Sequence, residues 1–336
     1  MTEAVKPRVF VVQPIPEVAL DILRQEAEVE VYPFMDRQIT PDDLCSAVRR
    51  ADYILAMHET TIPREVFEAN PNLRGIGIGG YYDDTVDLEA AKEFGVPLLV
   101  SQRPAPGTYS LVSKTTADLT VGMLLCLAYR VLEADDYTRR GGFKQEQTLA
   151  LMGIGCPGKT VGLIGLGKVG TLMVPRLKAL ELKVLYTKRT RLSPEEEERL
   201  GITWVDHMDE ILTESDFVCM EANYTPENHG MMGEREFKLM KPTAYFINTG
   251  RGRLVDEDAM IKALQDGTIA GAGLDVFYNE PPEVLESFVP HALRKMDNVV
   301  LAPHNGGATW DSRGHQTGTI AKSIVAHIRG EFVAPY

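Results

Sequence analysis

The stretch Thr160–Gly170 reads Thr-Val-Gly-Leu-Ile-Gly-Leu-Gly-Lys-Val-Gly and decides the fold class. Its first five residues are apolar and partly β-branched, as in a buried strand, and the pattern Gly-x-Gly-x-x-Gly follows at once. The pattern alone is weak, because the chain has 29 glycines, but an apolar-periodic segment continues from Lys168 to Leu180. Strand, glycine turn and helix in this order predict a Rossmann unit that binds a dinucleotide.

The glycine pattern places several residues next to the expected cofactor. Gly165 makes the turn, Gly167 lets a pyrophosphate approach the backbone, and Gly170 lets the helix pack closely on the strand. The helix begins at Lys168 and Val169, and its N-terminus supplies amide N–H groups and positive potential to a phosphate. We predict that all of these residues bind the cofactor.

The corner after the second strand of this unit carries cations. An NAD-binding unit has an acidic residue there for the ribose hydroxyls, but the sequence has no Asp or Glu from 182 to 194. The strand Lys183–Tyr186 is followed by Thr-Lys-Arg-Thr-Arg instead. Lys188 and Arg189 suit a 2′-phosphate, so the sequence favours NADP(H). The alternative is a solvated cationic loop with NAD as the cofactor.

The rest of the chain predicts two series of parallel strands. Apolar runs alternate with helical patterns on both sides of a Pro- and Gly-containing linker at 101–110, as in sheets covered by helices on both faces. The first series has strands at Val9–Val12, Val29–Tyr32, Tyr53–Met57, Gly75–Gly79 and Pro97–Val100, with helices at Glu17–Glu26, Pro41–Arg50 and Leu88–Phe94. The second has strands at Val161–Ile164, Lys183–Tyr186, Thr203–Val205, Asp216–Met220, Ala244–Asn248, Gly271–Asp275 and Val299–Ala302.

Two long helices connect these series into domains. One is predicted over Val112–Arg139, before the second series, and one over Thr309–Arg329, which is too short to stand alone and is expected to pack on the first domain. The predicted fold class is α/β, with two doubly wound parallel-sheet domains. Residues 107–307 form the Rossmann cofactor domain, which is inserted in a discontinuous, flavodoxin-like substrate domain of residues 1–106 and 308–336.

Composition excludes several other classes. The chain has 336 residues and a formal charge of −13, which repels nucleic acid and anionic membrane surfaces. The apolar stretch Val121–Ala128 is shorter than a membrane span, and the N-terminus lacks the apolar core of a secretory signal, so we expect a cytoplasmic protein. Four cysteines without a Cys-x-x-Cys pair predict neither a metal site nor a redox dithiol.

Three further motifs occur in a fixed order. They are Asn248-Thr-Gly-Arg-Gly-Arg-Leu-Val-Asp256, Gly273-Leu-Asp-Val-Phe-Tyr-Asn-Glu-Pro281 and Ala302-Pro-His-Asn-Gly-Gly-Ala-Thr309. With these motifs the chain resembles the D-2-hydroxyacid dehydrogenase family over nearly its full length. Its cofactor corner is similar to that of the NADPH-dependent glyoxylate/hydroxypyruvate reductases. The stretch Thr115–Leu119 also resembles the family's helix that enters the cofactor domain, with Asp118 where Glu is usual.

The chemistry of a keto-acid reduction assigns roles to three residues. Arg251 suits the binding of a carboxylate and the polarisation of a carbonyl, because its planar fork bridges two oxygens. His304 suits proton delivery near neutrality. Glu280 orients the imidazole and favours its protonated form. The alternative to a catalytic role for Arg251 is a surface salt bridge, and that interpretation is the favoured one for its neighbour Arg253. The alternative for His304 is a structural role.

The resemblance implies further contacts and an assembly. Asp275 is expected to bind the nicotinamide amide, and Thr116, Asn223 and Thr249 are expected to lie beside the cofactor. The partner is a small 2-keto or 2-hydroxy acid, and the family implies a homodimer that forms through the long helix beginning near Val112. The rival class is a nucleotide-sensing binding protein on the same scaffold, and a second rival is a dehydrogenase of an unusual oxyanion or a sugar acid.

The substrate loop departs from the family pattern. It reads Gly-Tyr-Tyr-Asp-Asp-Thr-Val-Asp over 80–87, with Tyr82 where the family has glycine. Tyr81 and Tyr82 are predicted to contact the substrate together with Arg251 and His304. The phenol groups either stack on a larger substrate or make the cavity smaller, so the sequence leaves open whether the keto acid is glyoxylate, hydroxypyruvate or a larger one.

Overall fold

The computed structural model describes residues 5–57, 59–79, 85–100, 108–280 and 289–331. These residues form two compact units, unit 1 over Met1–Thr108 with Thr309–Tyr336, and unit 2 over Tyr109–Ala308. Each unit has its own parallel sheet and its own apolar core. The predicted α/β class with two doubly wound sheets is confirmed.

The described strands of unit 1 form a five-stranded sheet in the order β2-β1-β3-β4-β5, which is the flavodoxin-like order. The strands are short apolar runs that are buried on both faces in β3 and β4, as expected for a parallel sheet. Their bounds are β1 Arg8–Val11, β2 Glu28–Val31, β3 Tyr53–Met57, β4 Gly75–Gly79 and β5 Leu98–Val100. The helices between them are α1 Glu17–Arg24, α2 Pro41–Val48, α3 Arg64–Ala69 and α4 Leu88–Glu93, of which α3 was not predicted.

The described strands of unit 2 form a seven-stranded parallel sheet in the order β12-β11-β10-β9-β6-β7-β8. The order reverses between β6 and β9, and ligands of open α/β sheets bind outside the carboxyl ends at such a point. The strands are β6 Thr160–Ile164, β7 Lys183–Thr187, β8 Thr203–Trp204, β9 Phe217–Met220, β10 Tyr245–Asn248, β11 Gly271–Leu274 and β12 Val299–Leu301. The helices are α5 Leu111–Ala128, α6 Val131–Arg139, α7 Lys168–Ala179, α8 Pro194–Leu200, α9 Met208–Glu214, α10 Glu234–Leu239 and α11 Glu257–Gln265.

The prediction of one long helix over Val112–Arg139 is wrong, because α5 ends at Ala128 and α6 begins at Val131. Between them Arg130 has a left-handed conformation, with φ of 50°. The backbone N–H of Ile154 donates to the carbonyl of Ala128 at 2.8 Å, which a continuing helix would use itself. A Cβ on Gly153 would lie 2.0 Å from that carbonyl oxygen, so only glycine permits this approach. A tertiary contact therefore breaks the helix.

Among the described helices, α5 alone is long and apolar enough to cross a membrane by length and composition. In the structure it packs against α7, β10 and β11 within unit 2. Val121, Met123, Leu124 and Leu127 lie in the apolar core there. These contacts explain why α5 is so apolar: it is a core helix of unit 2.

The last described helix, α12 (Trp310–Ile328), belongs to unit 1. Thr309 caps its N-terminus, because the Thr309 side chain accepts the backbone N–H of Ser312, and the helix packs on α1, β4 and β5. A Cβ on Gly77 of β4 would lie 2.5 Å from Cδ1 of Ile324, so the helix lies directly on the strand. The C-terminal helix thus completes the core of the unit that the first hundred residues begin.

Candidate active site

The sequence motifs of unit 2 meet at one edge of its sheet. Glu221 follows β9, Thr249 follows β10 and Asp275 follows β11, while His304 comes shortly after β12. Since these strands are parallel neighbours, their carboxyl ends lie side by side. The sheet therefore brings together groups that are up to 83 residues apart in the chain.

The glycine-rich turn has the geometry that a dinucleotide requires. Gly165 has φ of +96°, and a Cβ there would lie 2.6 Å from the backbone nitrogen of Ala222. A Cβ on Gly170 would lie 3.1 Å from the Gly165 carbonyl oxygen, whereas one on Gly167 would meet no atom within 4 Å. Gly167 thus faces open space directly before α7, where a pyrophosphate would bind to the helix N-terminus. These residues fit a dinucleotide cofactor.

The cations at the end of β7 fall into two groups. Arg191 donates to both carboxylate oxygens of Glu197 at 2.7 Å, and Tyr186 donates to one of them at 2.7 Å. These bonds lower the pKa of Glu197 to about 2. Lys188 instead donates to the Leu166 carbonyl in the glycine-rich turn at 3.2 Å, and Arg189 is exposed. Lys188 therefore contacts the glycine-rich turn, whereas the charge of Arg189 acts on Glu227, whose pKa it helps to lower.

His304 and Glu280 form a pair. Nδ1 of His304 lies 2.8 Å from Oε2 of Glu280, and the other carboxylate oxygen accepts the backbone N–H of Phe277 at 2.7 Å. The hydrogen bond and the negative charge of Glu280 raise the pKa of His304, and the positive charge of Arg251 opposes the rise. The imidazole is thus oriented by a carboxylate, and the other two predicted catalytic groups, Glu280 and Arg251, both act on it.

The backbone of His304 is held in an unusual conformation. Its φ is +55°, in the left-handed region that residues other than glycine rarely adopt. Its N–H donates to the Asp275 carbonyl at 2.9 Å, and the Asp275 carboxylate accepts the N–H groups of Asn305 at 2.5 Å and Gly306 at 2.9 Å. Asp275 is 1% exposed, and its carboxylate fixes the turn that presents the imidazole.

Arg251 lies on a turn that packs against the Glu280 segment. Its side chain is exposed, and Nη1 donates to the carbonyl of Gly250 at 2.8 Å. A Cβ on Gly252 would lie 1.9 Å from the Phe277 carbonyl oxygen, so the two turns are in direct backbone contact. The guanidinium is therefore anchored at one nitrogen and presented to solvent beside the His304–Glu280 pair.

The remaining predicted residues have different surroundings. Thr116 on α5 lies against the turn after His304, since a Cβ on Gly306 would be 2.7 Å from its hydroxyl. Asn223 is exposed, and its carbonyl accepts a bond from the side chain of Asn228 at 2.8 Å. Tyr81 and Tyr82, predicted to bind substrate, lie outside the described residues.

Sequence reasoning missed Glu221. Its Oε1 lies 2.6 Å from the Thr249 hydroxyl, which lies 2.7 Å from the Thr120 hydroxyl of α5. Burial raises the pKa of Glu221 to about 7. A signal for it was present in the sequence, because an acidic residue directly after a fully apolar strand stands where parallel sheets bind their ligands.

Comparisons with known proteins agree with this geometry. Residues 121–306 match the model of the family described as D-isomer specific 2-hydroxyacid dehydrogenase, NAD binding domain. A glyoxylate reductase of Thermococcus gammatolerans is 40% identical over 330 residues, which cover 97% of this chain and 94% of the relative.

Solved structures resemble the whole chain as well. A putative D-isomer specific 2-hydroxyacid dehydrogenase of a Polaromonas species has a TM-score of 0.84 at 29% identity, covering 97% of this chain and 98% of its own. An NADPH-dependent glyoxylate/hydroxypyruvate reductase of Sinorhizobium meliloti has a TM-score of 0.74 at 28% identity, with coverages of 98% and 97%. The chain belongs to the D-isomer specific 2-hydroxyacid dehydrogenase family and is a nicotinamide-dependent oxidoreductase of keto and hydroxy acids.

Proposed function

We propose that the protein reduces a small 2-keto acid to the D-2-hydroxy acid with NADPH. The observation that carries this proposal is the His304–Glu280 pair at 2.8 Å, next to the charge of Arg251 and at the same sheet edge as the glycine-rich turn. These groups supply an acid, a carboxylate receptor and a cofactor site. A relative and a neighbour whose names include glyoxylate reductase support glyoxylate and hydroxypyruvate as the first substrates to test.

Each side chain then has a defined task. Arg251 keeps several N–H donors beyond the one bonded to Gly250, and these hold the substrate carboxylate. When bound, reduced nicotinamide supplies the hydride for the carbonyl carbon. His304 donates a proton to the carbonyl oxygen, and because Nδ1 faces Glu280, the transferred proton is that of Nε2. Glu280 stabilises the imidazolium before the transfer and holds the ring afterwards.

The cofactor is assigned to the glycine-rich turn. We propose that the helix N-terminus at Lys168 and Val169 binds the pyrophosphate and that Lys188 and Arg189 pair with the 2′-phosphate. Thr116, Thr249, Asn223 and Asp275 remain the proposed neighbours of the nicotinamide half and the riboses. Since the carboxylate of Asp275 already accepts two backbone N–H groups, any contact with the nicotinamide amide uses its remaining lone pairs.

We also propose a homodimer. Several apolar side chains of unit 2 are exposed between the end of α5 and β6, although a folded monomer rarely leaves such residues clustered in solvent. Their exposed fractions range from 45% to 83% in Tyr129, Val131, Leu132, Phe143, Leu149 and Met152. A second copy of the chain would cover this surface.

A panel of 2-keto acids tests the activity. We expect NADPH absorbance to fall with glyoxylate or hydroxypyruvate, and His304→Ala to lower kcat by about 10²–10⁴-fold while the NADPH dissociation constant stays the same. His207→Ala, at an exposed histidine, is the control and keeps full activity. Tight NADPH binding without turnover of any keto acid contradicts the proposal and favours a nucleotide sensor.

The pH profile tests the role of Glu280. Reduction needs the protonated imidazole, so its rate is highest below the pKa of His304 and falls as the pH rises through that pKa, which the pair holds above 6.5. Glu280→Gln removes the charge and moves this fall to lower pH, as measured by kcat/KM and by NMR titration of the imidazole. Glu210→Gln serves as the control, and an unchanged imidazole pKa in Glu280→Gln would refute the assignment.

Exchange of the corner cations tests the cofactor preference. Lys188→Asp with Arg189→Ala removes two charge-assisted contacts, so we expect the ratio of kcat/KM for NADPH over NADH to fall by about 10- to 100-fold. Arg199→Ala, an exposed cation of α8, is the matched control. If the double variant keeps the wild-type ratio of kcat/KM for NADPH over NADH, these cations do not bind the 2′-phosphate.

Light scattering tests the dimer. The protein is expected to have twice the chain mass of 37.2 kDa. Phe143→Glu with Leu149→Glu places two charges in the proposed interface and shifts the mass to that of one chain, whereas Met35→Glu, at an exposed apolar residue of unit 1, leaves it unchanged. A wild-type mass of one chain overturns the assembly.

A further inference from the structure

Glu221 is a partly buried carboxyl group that the mechanism above does not use. Its backbone N–H donates to the carbonyl of Ile164 at 2.8 Å, which fixes it directly beside the glycine-rich turn. A Cβ on Gly165 would lie 2.8 Å from the carbonyl carbon of Glu221, so the two backbones are in contact. Its side chain reaches the Thr249 hydroxyl, two residues before Arg251. Glu221 thus contacts the proposed cofactor turn through its backbone and the turn before Arg251 through its carboxyl group.

A chain of hydrogen bonds continues from Glu221 into the core. Oε1 lies 2.6 Å from Oγ1 of Thr249, which lies 2.7 Å from Oγ1 of Thr120. The Thr120 hydroxyl lies 2.8 Å from the carbonyl oxygen of Thr116. Thr120 is 0% exposed and Thr249 is 7% exposed, so these oxygens depend on one another for their hydrogen bonds.

The number of protons in this chain determines the state of the carboxyl group. All four residues are described, and their three contacts of 2.6 to 2.8 Å between oxygen atoms each need one proton. The Thr116 carbonyl is an acceptor only, and the two hydroxyl groups supply one proton each. The third proton must come from Glu221. With an ionised carboxylate, one contact would place two oxygen lone pairs together in a buried position, which is unfavourable.

The surroundings of the carboxyl group favour the same state. The pKa of Glu221 is raised to about 7, mainly by burial; the hydrogen bond with Thr249 opposes this rise, and the negative charge of Asp275 after β11 adds to it. On β9 itself, the Cys219 thiol is buried and its own pKa is raised, so it remains neutral. Among the described groups on β9, β10, β11 and α5 that act on the pKa of Glu221, none is a cation.

We propose that Glu221 is a positioning residue that works as a neutral carboxylic acid, whose proton completes the Glu221–Thr249–Thr120 chain and is required for tight binding of the anionic dinucleotide. Ionisation has two effects. It removes one hydrogen bond from the support of the Thr249 turn, and it creates a negative charge on the residue whose backbone contacts the glycine-rich turn. Cofactor binding therefore favours the protonated form, and above neutral pH the protein takes up a proton when the cofactor binds.

This inference needs a nicotinamide dinucleotide at the glycine-rich turn, but neither the keto acid nor the NADPH preference. Its test can therefore fail or succeed independently of the proposed substrate. The protonation of His304 also influences turnover, so the test measures the carboxyl group and the binding of the cofactor rather than the rate.

Infrared difference spectroscopy of the cofactor-free protein reports the proton directly. We expect a carboxylic-acid C=O band that disappears as the pH rises through about 7 and is missing in Glu221→Gln. The amide of this variant still donates to Thr249, so the fold is expected to persist. A band that Glu221→Gln leaves unchanged overturns the proposal.

Thr120→Val provides a second, independent variant. Valine keeps the shape of threonine but removes two of the contacts, so the Thr249 hydroxyl can donate to an ionised carboxylate. We expect the Glu221 band to titrate at lower pH than in the wild type. A role in packing alone predicts no shift, and an unshifted band therefore contradicts the proton count even if Glu221→Gln fails to fold.

Calorimetry of NADPH binding tests the link to the cofactor. Titrations near pH 8 in buffers of different ionisation enthalpy give the number of protons taken up, and His304 contributes equally to wild type and variant. We expect Glu221→Gln to take up fewer protons than the wild type when NADPH binds. In the wild type the affinity for NADPH weakens as the pH rises, by about tenfold for each unit by which NADPH raises the pKa of Glu221. The variant is expected to lose this part of the pH dependence. Glu236→Gln, a half-buried carboxyl at the start of α10, is the matched control. Equal proton uptake in Glu221→Gln and wild type overturns the link.

Discussion

The buried carboxylate of Asp275 holds the conformation on which the rest of the site depends. It accepts the N–H groups of Asn305 and Gly306, while the Asp275 carbonyl accepts that of His304. A left-handed conformation in a residue other than glycine costs about 1–3 kcal/mol, and each hydrogen bond to a charged acceptor contributes about 1.5–3 kcal/mol. The bonds to Asp275 therefore offset the strain at His304 and direct its imidazole to Glu280.

Close backbone approach explains why the motifs around these residues contain glycine. The turn of Arg251 can lie against the turn of Glu280 only because Gly252 has no side chain, since a Cβ would overlap the Phe277 carbonyl oxygen at 1.9 Å. Gly165 can approach the backbone of Ala222 for the same reason, since a Cβ on Gly165 would lie 2.6 Å from the Ala222 nitrogen. Four strand ends can thus present their side chains within a small region, and the charges of Glu280 and Arg251 both act on the pKa of His304.

Much of this arrangement follows from the sequence, because apolar runs at regular spacing specify parallel strands and the residue types specify the chemistry. What the sequence does not reveal are contacts between distant segments. The helix break at Arg130 depends on Ile154 and Gly153, and the six residues of α3 are too few for a periodic pattern. The contacts that join Glu221 to Thr249 and Thr249 to Thr120 are equally hidden, because Thr120 and Glu221 are 101 positions apart in the chain.

Charge at the cofactor turn is set locally and not by the net charge of −13. Glu197 lies close to the cationic corner, yet its carboxylate is occupied by Arg191 and Tyr186, so it neither binds a ribose nor cancels Lys188. Burial without a cation acts differently on Glu221, because it raises the pKa to about 7 and so favours the protonated form up to neutral pH. One acid is neutralised by an ion pair and the other by a proton, and both leave the positive potential of α7 available to an anionic ligand. Only the second of these depends on pH near neutrality, and the proposed role of Glu221 therefore predicts that cofactor binding depends on pH.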